Sequence, residues 1–319
     1  MKTLPYAVFA MLAGSAFADT VSQNLLNLVM PDTVILSGAQ VDQMTASPFG
    51  QYLLSQFQPN NPGFLQFVGA TGFDPRYDLQ YLLAATSVQA GNHQVLILGV
   101  GNFQQNKITT AATAQGATMS AYKGVTILTG KNNNLNGSPG ALAFLDNQTI
   151  AMGALPVVQG AIDRLKSGAR FTGALAAQAQ AASGTYQAWF ATVTPLSDFL
   201  NGKTGGNLGN LSQNNLFQSI QQSSGGANFA PSGVTVAADL VTASPQNAQA
   251  VVDVLQFLAS MIQGNANQPK LGALANATTF AVNGSTAHVV LGLSEQQAEQ
   301  LVTHPANAGA RRRREPAQR

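Results

Sequence analysis

The chain has 319 residues, 45% hydrophobic but only 9% charged, and no cysteine; it holds enough apolar material for one large or two moderate cores, which argues against disorder of the body. The missing thiols exclude disulfides, thiolate metal sites, thiol catalysis and a lipid anchor on an N-terminal Cys, and the charged fraction lies far below the roughly 25% of an average soluble domain. The net charge of +2 belongs to the end of the chain: nine basic and twelve acidic residues lie between Asp19 and Ala310, so no basic cluster for nucleic acid precedes Arg311.

The first eighteen residues carry the marks of an export signal: Lys2, an apolar core from Leu4 to Leu12, Gly14, and Ala16-Phe17-Ala18 as a small-residue cleavage site before Asp19. That core is too short for a ~30 Å hydrocarbon layer. The next stretch, residues 31–83, sets the pattern for the rest. Pro31-Asp32-Thr33 precedes an apolar run, Val34-Ile35-Leu36; a helix start follows at Val41-Asp42 and another at Ser47-Pro48-Phe49-Gly50. Gly72-Phe73-Asp74-Pro75-Arg76-Tyr77-Asp78-Leu79 then leads as a turn into a second apolar run, Tyr81 to Ala85.

Residues 93–101 (HQVLILGVG) read as a buried strand and residues 105–115 as a helix. Strands are expected at 125–128, 141–145 and 149–155, the last two forming a hairpin around Asp146-Asn147-Gln148, before a helix that Pro156 opens and Gly168 closes. The second half reads as a strand at 185–194, short helices at 196–200 and 216–222, a strand at 233–241 and a long helix at 245–262. A hairpin across Asn283-Gly284 and a helix from Ser294-Glu295 complete it, with a Gly/Asn-rich surface loop at 202–215.

The predicted fold class is α+β: two loosely repeated strand-helix-strand-helix-hairpin-helix units forming mixed or antiparallel sheets. The boundaries follow as a signal peptide at 1–18, an N-terminal unit at 19–168, a C-terminal unit at 169–304 and a disordered basic tail at 305–319. The alternative is a single α+β domain whose elements merely alternate.

The succession PDT, apolar run, SPFG, then GFDPRxDL resembles that of bacterial exported proteins without an assigned activity. The resemblance covers about the first third of the chain. It implies export and a fold type, and no site residue.

Motif by motif, the chemistry is sparse. Ser120-Ala121-Tyr122-Lys123, Ser197-Asp198-Phe199 and Lys203-Thr204-Gly205 imitate the three signatures of serine β-lactamases. The nucleophile should open a buried helix, yet Ser120 adjoins a strand, and Phe199 stands where an Asn is required. Gly99-Val100-Gly101 lacks the third glycine of a dinucleotide fingerprint. The three histidines, His93, His288 and His304, are isolated from one another and from carboxylates at ligand spacing. No catalytic residue, cofactor or metal site is therefore assigned.

Asp74, Arg76 and Asp78 form the densest ionic group of the body, either a ligand clamp or a turn that closes on itself. Arg311, Arg312, Arg313 and Arg314 are either a solvated end or an electrostatic contact for anionic surfaces. Trp189 and Tyr52, Tyr77, Tyr81, Tyr122 and Tyr186 offer stacking faces for sugars, although most fall in strand patterns and are expected in the core. These observations point to a secreted or periplasmic, non-enzymatic binding or structural module. Its partner would be an envelope or extracellular protein or a glycan, without nucleic acid and without a transmembrane segment once the signal is removed. The alternative is a hydrolase with its site near Asp74, Arg76 and Asp78 or near His288.

Overall fold

The computed structural model describes residues 20–56, 62–89, 92–135, 137–195, 219–263 and 269–302. The expected export signal, the basic tail with Arg311 to Arg314, His304, the helix at 196–200 and the loop at 202–215 lie outside the described residues.

Chain order begins with α1 (Gln23–Leu26), β1 (Thr33–Gln40), α2 (Val41–Met44), α3 (Pro48–Ser55) and α4 (Pro62–Thr71). Then come β2 (Leu79–Gln89), β3 (Asn92–Gly101), α5 (Gln105–Ala114), β4 (Thr118–Tyr122), β5 (Val125–Leu135), β6 (Ser138–Phe144), β7 (Thr149–Ala154) and α6 (Leu155–Ser167). The remainder is α7 (Ala174–Thr185), β8 (Ala188–Thr192), β9 (Ile220–Ala230), β10 (Gly233–Thr242), α8 (Pro245–Gln263), α9 (Pro269–Asn276), β11 (Thr278–Asn283), β12 (Thr286–Leu293) and α10 (Glu295–Val302).

Local chemistry sets many of these boundaries. Ser47 Oγ accepts a hydrogen bond from the Gly50 amide at 2.9 Å while Pro48 fills the first turn of α3. A side chain at Gly50 would place its Cβ 1.8 Å from the Met44 carbonyl oxygen, so only glycine lets α2 and α3 meet. Gly168, at φ 66°, ends α6 in the left-handed region.

The predicted sheets prove to be one. All twelve described strands join a single sheet in the order β11-β12-β10-β9-β8-β1-β2-β3-β7-β6-β5-β4, and every neighbouring pair is antiparallel. Strands from residues 33–154 occupy one end and strands from residues 188–293 the other, joined where β1 pairs with β8.

Leu83, Leu98, Ala151, Ala143 and Ile127 lie in register across the first face, and Leu36 of β1 pairs with Ala85 on the same face. There α1, α6 and α7 bury them with Val158, Ile162, Leu175 and Ala179, the largest cluster of the molecule. Trp189 of β8 lies over Gly38 of β1, where an added Cβ would come within 2.6 Å of the indole, and its Nε1 donates to Tyr81 Oη at 2.9 Å. The second face is covered by α4 and α5 at one end (Phe73, Ile108, Leu128, Phe144, Ile150). At the other end α8 packs on Ile220 and Ala287, and α3 with α10 on Val234 and Leu293.

One expected helix is overturned: from Ile220 onward residues 216–222 run into strand β9, not a helix. Its sequence, IQQSSGGANFA, has little β propensity, but pairing with β8 on one side and β10 on the other holds it extended. The two glycines fit that place, because a Cβ on Gly225 or Gly226 would fall 2.2 Å from the carbonyl oxygen of Ala237 or Ala188. Among the described residues no helix is long and apolar enough to cross a membrane.

Candidate functional site

Helices α4 and α5 do not close tightly on the sheet. Between them and the second face of β3, β5, β6 and β7 is a cavity of about 540 Å3, lined chiefly by Phe67, Ile97, Ile108, Leu128, Leu142 and Met152. Thr71 and Gln115 supply its polar side chains, and among the described residues no ionisable one lines it. Its size falls within the ~300–1,000 Å3 of ligand pockets.

Small residues line the space: Ala111 and Ala112 on α5, and Gly130 and Gly140 on the strands. Pairing between β5 and β6 runs from Ile127 to Thr129, breaks, and resumes at Asn134, so the sheet is irregular along this wall. Phe67, Val95 and Leu135, each about two-fifths exposed, bring apolar surface out to solvent at its edge. None of these residues was singled out from the sequence; the glycines at 130 and 140, just beside the expected strands, were the available signal.

The structure brings Asp74, Arg76 and Asp78 into one turn and joins them to one another. Arg76 Nε and Nη2 grip the Asp74 carboxylate at 2.9 and 2.6 Å, and the Asp78 carboxylate accepts from the Asp74 amide at 2.7 Å. The Arg76 guanidinium holds the Asp74 carboxyl below its ordinary pKa, and Asp74 in turn raises that of Arg76. Beside this turn a second hollow of about 460 Å3 is lined by Asp42, Thr45, Gln51, Leu54, Ser55, Arg76, Tyr77 and Leu79.

His288 Nδ1 lies 2.5 Å from Asp239 Oδ1 across the β10–β12 ladder, on the first face of the sheet. Ser224 of β9 is the next residue in that row, beyond Asp239. The carboxylate therefore separates hydroxyl from imidazole, whereas nucleophile activation needs the imidazole between the other two. Among the described residues no three His, Asp or Glu side chains stand together as a metal site.

Ser120 lies on strand β4, and Lys123, in the following turn, pairs with Asp163 of α6 at 2.6 Å. Ser197 and Lys203 are outside the described residues. Gly101 ends β3 where a Cβ would sit 2.2 Å from the Asp78 carbonyl oxygen, which accounts for the glycine by close approach. Of the aromatic candidates, Trp189 is buried and Tyr81 is sunk far enough that its phenol is pushed up to about 12. Tyr77 by contrast is 78% exposed.

No protein-family model matches the chain, and no curated protein matches it in sequence. Among solved structures, crystal forms III and IV of TP0453 superpose with a TM-score of 0.53, at 11% and 10% identity respectively, over 90% of this chain and 99% and 97% of theirs. At that identity the likeness is one of fold: this chain is similar to TP0453 in the course of its α+β backbone over nearly its whole length.

Proposed function

We propose that this protein is an exported, non-catalytic binding module of the bacterial envelope or extracellular space, and that its ligand is an apolar molecule held beneath α4 and α5. The cavity carries this reading. A space of about 540 Å3 walled chiefly by Phe, Ile, Leu, Met, Ala and Gly, with no charged side chain among the described residues that line it, suits hydrocarbon far better than a polar metabolite. Each buried methylene contributes about 0.8 kcal/mol. About ten of them thus offer ~8 kcal/mol before the cost of association, which leaves micromolar or weaker binding.

Export is supported by Lys2, the apolar core and Ala16-Phe17-Ala18. The PDT and GFDPRxDL pattern adds to it. The tail at Arg311 to Arg314 would add a salt-sensitive contact with anionic surfaces. We also read the two halves as variants of one unit, a reading supported by the like order of the first five strands outward from the central pair, β1, β2, β3, β7, β6 and β8, β9, β10, β12, β11, with β5 and β4 extending the first side alone.

The test is titration of the chain from Asp19 to Arg319 with cis-parinaric acid, followed by displacement with palmitate. Saturable binding at one site is expected, weakened at least about tenfold by Ala112→Phe, which fills the cavity from α5. Absence of saturable binding, or indifference to Ala112→Phe in a folded variant, would overturn the proposal. For the export half, N-terminal sequencing of the protein from the extracytoplasmic fraction should begin at Asp19.

A further inference from the structure

We propose that the hollow between α2, α3 and the turn at 74–78 is a subsite for an uncharged sugar ring, with Tyr77 as its stacking platform. The site is separate from the apolar cavity and different in chemistry. Tyr77 is 78% exposed, an unusual state for so large an aromatic ring unless something covers it. It is also held in place, because its amide donates to the Asp74 carbonyl at 3.0 Å and the Arg76 guanidinium packs 5.3 Å from its centroid.

Arg76 is itself fixed, gripping Asp74 and lying 5.2 Å from the Phe64 centroid on α4. The platform is thus preorganised, which spares the ordering cost of binding. Around the same hollow of about 460 Å3 stand Asp42, Thr45, Gln51 and Ser55; the Thr45 and Ser55 hydroxyls and the Gln51 amide donate to backbone carbonyls of their own segment, which leaves their oxygens, with the Asp42 carboxylate, to accept from sugar hydroxyls. An aromatic ring face with acceptor oxygens around the same hollow suits a pyranose, which has an apolar C–H face and a hydroxyl edge.

Charge selects among polar ligands. Arg76 is neutralised by Asp74, and Asp42 adds a further negative charge, so a phosphate or carboxylate would enter against repulsion. A cation is the rival occupant, since a ring face beside Asp42 would also attract one.

The experiment is saturation-transfer NMR and amide-shift titration of the mature chain with maltotriose and with N,N′,N″-triacetylchitotriose, with tetramethylammonium and inorganic phosphate run in parallel. We expect transfer to the ring protons of a saccharide, with amide shifts confined to Tyr77 and the α2–α3 segment. Tyr77→Ala should weaken that binding about tenfold. Gln51→Ala, on an exposed helical position, should weaken it severalfold, and Asp42→Asn should leave it within about twofold, since a neutral ligand does not require the charge. Failure of both saccharides to shift these amides at millimolar concentration would overturn the proposal. So would saccharide binding unaffected by both Tyr77→Ala and Gln51→Ala, or tetramethylammonium binding there that Asp42→Asn abolishes.

Discussion

The two ends of the sheet differ in their covering. Strands β3, β5, β6 and β7 are packed on both faces, by α1, α6 and α7 on one side and by α4 and α5 on the other. Strands β9 to β12 are packed by α3, α8 and α10 on the second face, while Asp239 and His288 hold each other on the first at 40% and 33% exposure. The sequences carry that difference. Residues 95–98 are an unbroken apolar run, Val-Leu-Ile-Leu, as a strand covered twice requires, whereas β10 alternates Val234, Val236, Ala238 and Leu240 with Thr235, Ala237 and Asp239. A doubly covered sheet also has room for a ligand between layers, and the cavity lies at that end.

The sharpest way to break the comparison is to separate the ends at their seam. Gly38→Val would drive a side chain into the Trp189 indole where β1 meets β8. A loss of about 4 kcal/mol or more is expected in the urea midpoint, and a loss below ~1 would mean the seam repacks freely. Next in size, Leu98→Ala, fully buried in the doubly covered end, should cost about 3 kcal/mol. Val236→Ala, exposed in the other end, should cost under ~1 kcal/mol. Equal costs would erase the distinction between the ends.

Tyr81 tests the seam by pH. Its phenol is pushed from 10.0 to about 12, chiefly by burial, against which the Trp189 hydrogen bond works. The folded state thus favours the neutral form, so its stabilisation is complete below pH 10 and is lost as pH rises toward 12. About 2–3 kcal/mol should disappear over that window, and ultraviolet titration should show Tyr81 ionising late, alongside Tyr186, whose phenol burial also raises.

The smallest effect concerns the turn at 74–78. Asp74 is held below its ordinary pKa mainly by the Arg76 side chain, so the stabilisation is present above that ordinary value and fades as pH falls through the lowered one. Arg76→Gln should move the Asp74 carboxyl back toward the ordinary range by NMR titration, with little change in melting temperature at neutral pH. No movement would show that Arg76 does not set it.

Much of the architecture was legible. The strand at 93–101, the Pro156 to Gly168 helix, the Ser47 cap, the long helix at 245–262 and the Asn283-Gly284 hairpin all occur where residue chemistry places them. Each is a local event, decided by capping, by turn geometry or by an apolar run. Helices α4, α7 and α9 and strand β4 were not foreseen, and β9 was misread in part. The Ala-rich α7 has few large residues to mark a face, and β9 is a strand through its neighbours' hydrogen bonds more than through its own side chains.

By itself the sequence determined the class of the fold, the absence of thiol chemistry and the sparseness of ionic groups, because these follow from composition and short-range pattern. Only the tertiary structure decided that the strands form one sheet, which side each helix covers, and that Phe67, Leu128 and Met152 surround a space while Tyr77 is left bare. The reason is physical: a side chain's type favours burial, but whether it meets a neighbour or a void depends on partners far away along the chain, here as far apart as Phe67 and Met152.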